Sequence, residues 1–178
     1  MLNESKMEKL DRNLPPDKKL AAVCGLFCPG CSLLIATHEE PARLDGMAAR
    51  MGHTVDELKC NGCRSGKQCF YCTSMCQMKT CAVQKGVDFC GDCKEFPCEV
   101  LKTFQKERPH RIELWDSLKQ IRERGWEAWF RDKTQHYACE QCGVLNSAYD
   151  TRCRSCGAAP SCTYVKLHGD EVLRFMGK

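Results

Sequence analysis

Apolar residues recur at regular spacing in only a few stretches of this chain. Between Pro41 and Met51, Ala42, Leu44, Met47, Ala48 and Met51 share one helical face, with Pro41 suited to a first turn and Gly52 to a stop. Asp56 to Lys59 predicts a further turn of helix capped by Thr54, and another helix is expected near Cys76 to Lys85. A polar helical segment, Glu99 to Lys106, runs toward the break at Pro109. The clearest helix is predicted over Arg111 to Arg124: Ile112, Trp115, Leu118 and Ile121 recur every three residues, Leu114 widens the stripe, and Gly125 suits a left-handed stop. Trp126, Trp129 and Phe130 continue it as a short second helix. These aromatics and Trp115 read as core or inter-module packing rather than as a stacking platform for nucleobases. Near the C-terminus, Tyr164, Val165 and Leu167, then Val172, Leu173 and Phe175, flank His168-Gly169-Asp170 and predict two short strands joined by a hairpin turn.

That apolar pattern is too thin for a conventional core, and composition explains what supplements it. The chain has 178 residues and 43% hydrophobic content, but this tally includes 17 cysteines. Small cores are commonly supported by disulfides or metals. Met1 to Lys19 is charged and carries Pro15 and Pro16, with no apolar run of signal-peptide length. It reads as a mobile or loosely packed lead-in, and a reducing, cytoplasmic setting is expected. No stretch approaches the roughly 18 apolar residues needed to span a bilayer, so no membrane partner is expected. Thiols stay free for metals in reducing compartments, and the CxxC units suit one ion better than a disulfide framework. The formal charge of +4 is too small, once bound thiolates are counted, to argue for a nucleic-acid partner.

The most specific motif is Cys139-Glu-Gln-Cys142-Gly with Cys153-Arg-Ser-Cys156-Gly, two CxxCG knuckles at zinc-ribbon spacing. Each supplies two thiolates, and the glycine after each pair lets the turn aim amides at the sulfurs. A closed four-thiolate site is structural, and Zn2+ is the expected ion. Asn146 and Tyr137 also give the segment a partial likeness to Ran-binding-protein fingers, which bind single-stranded RNA or ubiquitin. Upstream, Cys24, Cys28 and Cys31 form CxxxCxxC, the spacing of radical enzymes, but a cysteine-dominated stretch of this size cannot build the barrel such enzymes need. Cys60, Cys63, Cys69, Cys72, Cys76, Cys81, Cys90, Cys93 and Cys98 follow. Together these twelve would fill three four-ligand sites and the ribbon a fourth, leaving Cys162 as a free thiol or small buried residue. All-thiolate sets suit zinc and iron–sulfur clusters alike, so either is expected in this N-terminal stretch.

Cys24-Gly-Leu-Phe-Cys28-Pro-Gly-Cys31, Cys60-Asn-Gly-Cys63, Cys76 through Cys81-Ala82 and Lys85-Gly86-Val87, and Cys90-Gly-Asp-Cys93-Lys-Glu-Phe-Pro97-Cys98 together resemble the prokaryotic domain-of-unknown-function 3795 family. The resemblance covers about residues 20 to 105; Cys69 lies outside its pattern. Members often continue, as here, through a helix and a Gly-x-x-x-Trp segment (Gly125 to Trp129) into a zinc ribbon. The resemblance implies a bacterial or archaeal cytoplasmic protein with a cysteine-rich metal domain, and no particular activity.

The fold expected from these residues is a small metal-stabilised α+β structure: a polar lead-in (1–19), an irregular cysteine-rich domain with short helices (20–105), a helical connector (106–134), and a zinc ribbon with short antiparallel strands (135–178). No catalytic residue is expected. His38, His53, His110, His136 and His168 are scattered singly, although His136 stands near enough to the ribbon to substitute as a ligand. No catalytic triad order, phosphate loop or dinucleotide fingerprint occurs. The function these features support best is a metal-binding interaction or adaptor module engaging a protein partner. An iron–sulfur redox or electron-transfer protein is the alternative, and a nucleic-acid-binding zinc protein the second. Against the last, Arg108, Arg111, Arg122, Arg124, Arg131 and Lys133 alternate with acidic residues as on a solvated helix.

Overall fold

A computed structural model describes residues 9–177. Its regular elements are α1 (Ser32–Glu39), α2 (Pro41–Met51), α3 (Val55–Leu58), α4 (Gln77–Lys85), α5 (Glu99–Lys106), α6 (Leu114–Arg124), α7 (Trp126–Tyr137) and α8 (Thr163–Phe175). A π-helical turn, Tyr71–Met75, precedes α4. Among the described residues there is no strand, only isolated bridges pairing Asp11 with Val144, Ala21 with Phe27 and Ala138 with Leu145.

The α+β expectation, with antiparallel strands in the ribbon and a terminal hairpin, is therefore corrected to an all-helical fold. The hairpin failed because its apolar residues fit a helix as well. Tyr164, Val165, His168 and Val172 are spaced for one helical face, and Tyr164, Val165 and Val172 are buried while Leu167 is 61% exposed. Gly169, expected in the turn, lies inside α8 and is not among the positive-φ glycines. The Tyr164 hydroxyl donates to the Pro109 carbonyl at 2.5 Å, pinning the start of α8 to the chain before α6. In the first knuckle the loop is too tight for a ladder to grow beyond the Ala138–Leu145 bridge.

Local signals placed most of the other helices well. Helix α2 has the expected limits, with Pro41 in its first turn and Gly52 left-handed at its end. Thr54 caps α3 through a reciprocal capping box with Glu57. Gly125 ends α6 with positive φ but ψ of 156°, so the chain leaves in an extended rather than left-handed helical conformation and enters α7 at once. Helix α1 was not anticipated, because its apolar run Leu33 to Ala36 is short and lies beside the cysteines.

One buried cluster contains residues from Leu10 to Val165. Its centre is aromatic: Phe27 meets Phe130 edge-on at 5.0 Å and Trp129 at 6.1 Å, and Tyr137 stacks between Phe27 (5.5 Å) and Tyr164 (5.1 Å). Trp129, Phe130 and Tyr164 are fully buried. Residues 9–19 are not the loosely packed lead-in expected, since Leu10 and Leu14 are buried in the same cluster. Residues 1–8 of that lead-in lie outside the described residues. A second, small cluster of Ala36, Leu44, Ala48 and Leu58 joins α1, α2 and α3.

The loop between Cys60 and Cys63 is held flush against residues 19–20. A Cβ on Gly62 (φ +108°) would stand 2.5 Å from the Lys19 carbonyl oxygen and 2.9 Å from Leu20. Gly62→Ala combines backbone strain with a clash against main chain, and is expected to cost about 2 kcal/mol. Thermal unfolding reads this directly: a midpoint equal to that of the wild type would contradict the close packing.

Candidate metal centre

The C-terminal knuckles converge. The sulfurs of Cys139, Cys142, Cys153 and Cys156 all lie within 4.8 Å of one another, with Cys139 to Cys156 at 3.7 Å and Cys142 to Cys153 at 3.5 Å. Gly143 and Gly157 close the two turns at φ of 79° and 76°, and their amides donate to the carbonyls of Cys139 and Cys153, each at 2.9 Å. Burial opposes ionisation of Cys153, but the amides of Cys156 and Ser155 and the neighbouring Cys142 thiol outweigh it and bring the group down to about 6. The Ala158 amide favours ionisation of Cys156, but the thiols of Cys142, Cys139 and Cys153 push it up to about 12, so these two sulfurs do not ionise together.

Residues distant in sequence brace this quartet. The buried Asn146 amide donates to the carbonyls of Val144 (3.0 Å) and Ser161 (3.2 Å) and approaches the Cys153 sulfur at 3.7 Å, while its oxygen accepts from the Arg154 amide at 2.9 Å. Arg12 donates to the carbonyls of Cys139 (2.7 Å) and Glu140 (3.1 Å). Arg154 donates to the Leu145 carbonyl at 2.6 Å and pairs with Glu39 at the end of α1. Sequence reasoning singled out Asn146 only for its spacing and missed both arginines, whose partners are main-chain groups and, for Arg154, a glutamate distant in sequence, none of which a motif marks.

Twelve of the other thirteen cysteines, Cys24 to Cys98, gather upstream without such convergence. Among the described residues, no other three Cys, His, Asp or Glu ligand atoms close within the distance that encloses the quartet. All seventeen thiols are free of disulfides. Cys24 and Cys28 of the CxxxCxxC motif both meet Cys63. Ionising Cys24 is opposed first by burial and then by the thiols of Cys63, Cys76 and Cys90, whereas Cys28 is raised by burial and by Cys63, Cys60 and Cys31. Cys31 faces Cys60, and Cys72 faces Cys69, Cys60, Cys31 and Cys28. Cys69 bridges Cys60 and Cys72. Around Cys90, which burial and its neighbours push up to about 12, lie Cys98, Cys81, Cys76 and Cys93. Main-chain contacts fix these positions: the Cys90 amide donates to Val23 at 2.8 Å, and the Cys60 amide donates to the Thr37 hydroxyl of α1 at 3.1 Å. Cys162 is buried outside every group, 3.6 Å from the Ser161 hydroxyl.

The histidines find partners other than the quartet. His136 does not substitute as a ligand; its Nε2 lies 2.9 Å from Oε1 of Glu113. His168 Nε2 reaches the same oxygen at 3.0 Å, and the ammonium of Lys133 meets Oε2 at 2.5 Å. Glu113 therefore ties together the beginning of α6, helix α7 and helix α8. Burial alone would raise its pKa, but the His136 hydrogen bond and Lys133 overcome this and hold it at about 2. Among the remaining histidines, His110 bonds the Tyr149 hydroxyl at 2.7 Å, His38 the Cys60 carbonyl at 3.2 Å, and His53 stacks on Phe70. No helix of the described residues is long and apolar enough to cross a membrane.

The chain is thus cysteine-rich, with a four-cysteine cluster able to hold a metal ion. No curated protein and no solved structure matches it. The segment carrying the twelve N-terminal cysteines, residues 20–103, matches the family model described as protein of unknown function (DUF3795).

Proposed function

We propose that this is a metal-binding protein of the reducing cytoplasm in which thiolate sites hold the fold together and an outer surface serves as an interaction or adaptor module for a protein partner. The observation that carries this reading is the geometry of Cys139, Cys142, Cys153 and Cys156. Two of its edges, 3.5 and 3.7 Å, are close to the roughly 3.8 Å edge of a zinc–thiolate tetrahedron built from Zn–S bonds of about 2.3 Å, and all four sulfurs lie within 4.8 Å of one another. Four protein ligands leave no coordination position for substrate, so the ion supports structure rather than catalysis. Nucleic-acid binding is less favoured, because basic residues of the helical connector are paired: Arg111 with Glu107, Arg124 with Asp132, and Lys133 with Glu113.

Elemental analysis of the wild type and Cys142→Ser tests the reading. About one zinc per chain, lost in the variant, is expected at this quartet. A folded wild type with no zinc attributable to Cys142 would refute it.

A further inference from the structure

Helix α1 bonds both to the second C-terminal knuckle, with the loop before it, and to the Cys60 loop of the N-terminal half. Toward the knuckle, the Ser32 hydroxyl donates to that of Ser147 at 3.0 Å, and Glu39 pairs with Arg154, which stands between Cys153 and Cys156. Arg43, in the first turn of α2, pairs with Asp150 at 2.7 Å, and the Asp150 carboxylate also accepts from the Ser147 amide at 2.8 Å. Toward the N-terminal half, the Thr37 hydroxyl accepts from the Cys60 amide at 3.1 Å, and His38 Nε2 lies 3.2 Å from the Cys60 carbonyl. Cys31 directly precedes the helix and stands at its N-cap.

Little in α1 itself makes it a stable helix. Isolated helices shorter than about 12 residues are marginal in water, and α1 has eight. No side chain caps its N-terminus. Its last residue, Glu39, and the next, Glu40, bring negative charge to the end where the helix dipole is already negative. Arg154 neutralises that charge: it pairs with Glu39 and lies 3.5 Å from Glu40. Its side chain is only 10% exposed, so the pair is largely protected from screening by salt. The Leu10 amide donates to Glu39 at 2.8 Å, and the Leu10 carbonyl in turn accepts from Leu145 at 2.9 Å. Both partners of Glu39 are therefore set by the chain around the quartet. Burial of Leu34, Ile35 and Ala36 packs the helix, but its C-terminal charge becomes favourable only with Arg154 in place.

We propose that α1 couples the two halves of the chain: metal bound by Cys139, Cys142, Cys153 and Cys156 fixes Arg154 and Asp150, these order α1, and α1 in turn holds Cys31 and the Cys60 loop. The inference rests on the reading of the quartet as a metal site. Linkage makes the effect reciprocal, so a change that loosens α1 weakens the quartet's hold on its metal by the same factor.

Full-length wild type, Cys142→Ser, Glu39→Gln and the double variant are compared by amide hydrogen exchange and zinc content. Cys142→Ser should lose the quartet's zinc and speed exchange of the α1 amides and the Cys60 amide about tenfold, with α6 still protected. Glu39→Gln should speed the same amides in the zinc-loaded protein, because Arg154 loses its ion pair. In the Cys142→Ser background it should instead slow α1 exchange, because the carboxylate at the negative end of the helix is gone. Equal effects of Glu39→Gln in both backgrounds, or α1 exchange untouched by the loss of zinc, would overturn the coupling and leave the zinc site standing. A wild type without zinc at the quartet overturns the coupling together with the reading beneath it. If Cys142→Ser does not fold, competition of wild type and Glu39→Gln against a zinc chelator decides. The variant should release zinc at about tenfold lower chelator concentration; equal retention would overturn the proposal.

Discussion

Cys153→Ser is expected to abolish metal binding at the C-terminal quartet and unfold the segment from about Ala138 to Cys162, rather than merely lower its melting temperature by a few degrees. A structural zinc contributes on the order of 10 kcal/mol to the folding of a small module, comparable with the whole stability of an ordinary domain. The loss should reach the other end of the chain. The Leu145 amide donates to Leu10 at 2.9 Å and the Arg12 amide to Gly143 at 2.8 Å, so residues 10–12 depend on the first knuckle for their main-chain partners. Amide hydrogen exchange should show protection lost in both places together. Cys162→Ala is the control, since that thiol lies outside the quartet; it should retain zinc. A Cys153→Ser protein that keeps both its zinc and its protection at residues 10–12 would refute the structural role.

The second large effect is expected at Glu113. Its carboxylate compensates Lys133, whose side chain is only 9% exposed, and breaking such a pair leaves a buried charge without a partner. Glu113→Ala should therefore destabilise the protein by about 3 kcal/mol, measured by urea unfolding near neutral pH. The same group makes a pH prediction with a definite sign. Its folded pKa of about 2 lies below the roughly 4.3 of an unconstrained glutamate. The stabilisation is therefore complete above about pH 4.3 and is lost as pH falls toward 2, amounting to on the order of 3 kcal/mol. The stability difference between wild type and Glu113→Gln should shrink across that interval, and because both proteins carry the same thiolates, acid release of metal largely cancels in the difference. A difference unchanged between about pH 6 and pH 2.5 would show that the carboxylate is not held by its partners.

Several features were legible because their causes are local. Pro41 and Gly52 bound α2, Thr54 and Glu57 cap α3, and paired knuckles bring Cys139, Cys142, Cys153 and Cys156 together over a short loop. Each depends on residues a few positions apart, where chain geometry leaves few alternatives. The hairpin expected around Gly169 shows the limit of such reasoning. Short apolar runs fit strand and helix alike, and burial of Tyr164 beneath Pro109 together with Val172 decides for α8.

The sequence by itself determined that the last two CxxC units share one site and where most helices of the first 137 residues lie. Only the tertiary structure decided that residues 10–14 belong to the core, that Cys24 and Cys28 both meet Cys63, and that Glu113, Lys133, His136 and His168 meet at one carboxylate. The physical reason is the same in each case. A thiol, an ammonium or an imidazole carries no directional preference along the chain, so its partner is set by which helices pack together, and that is decided by the aromatic core of Phe27, Trp129, Phe130, Tyr137 and Tyr164 rather than by the spacing of the polar residues themselves.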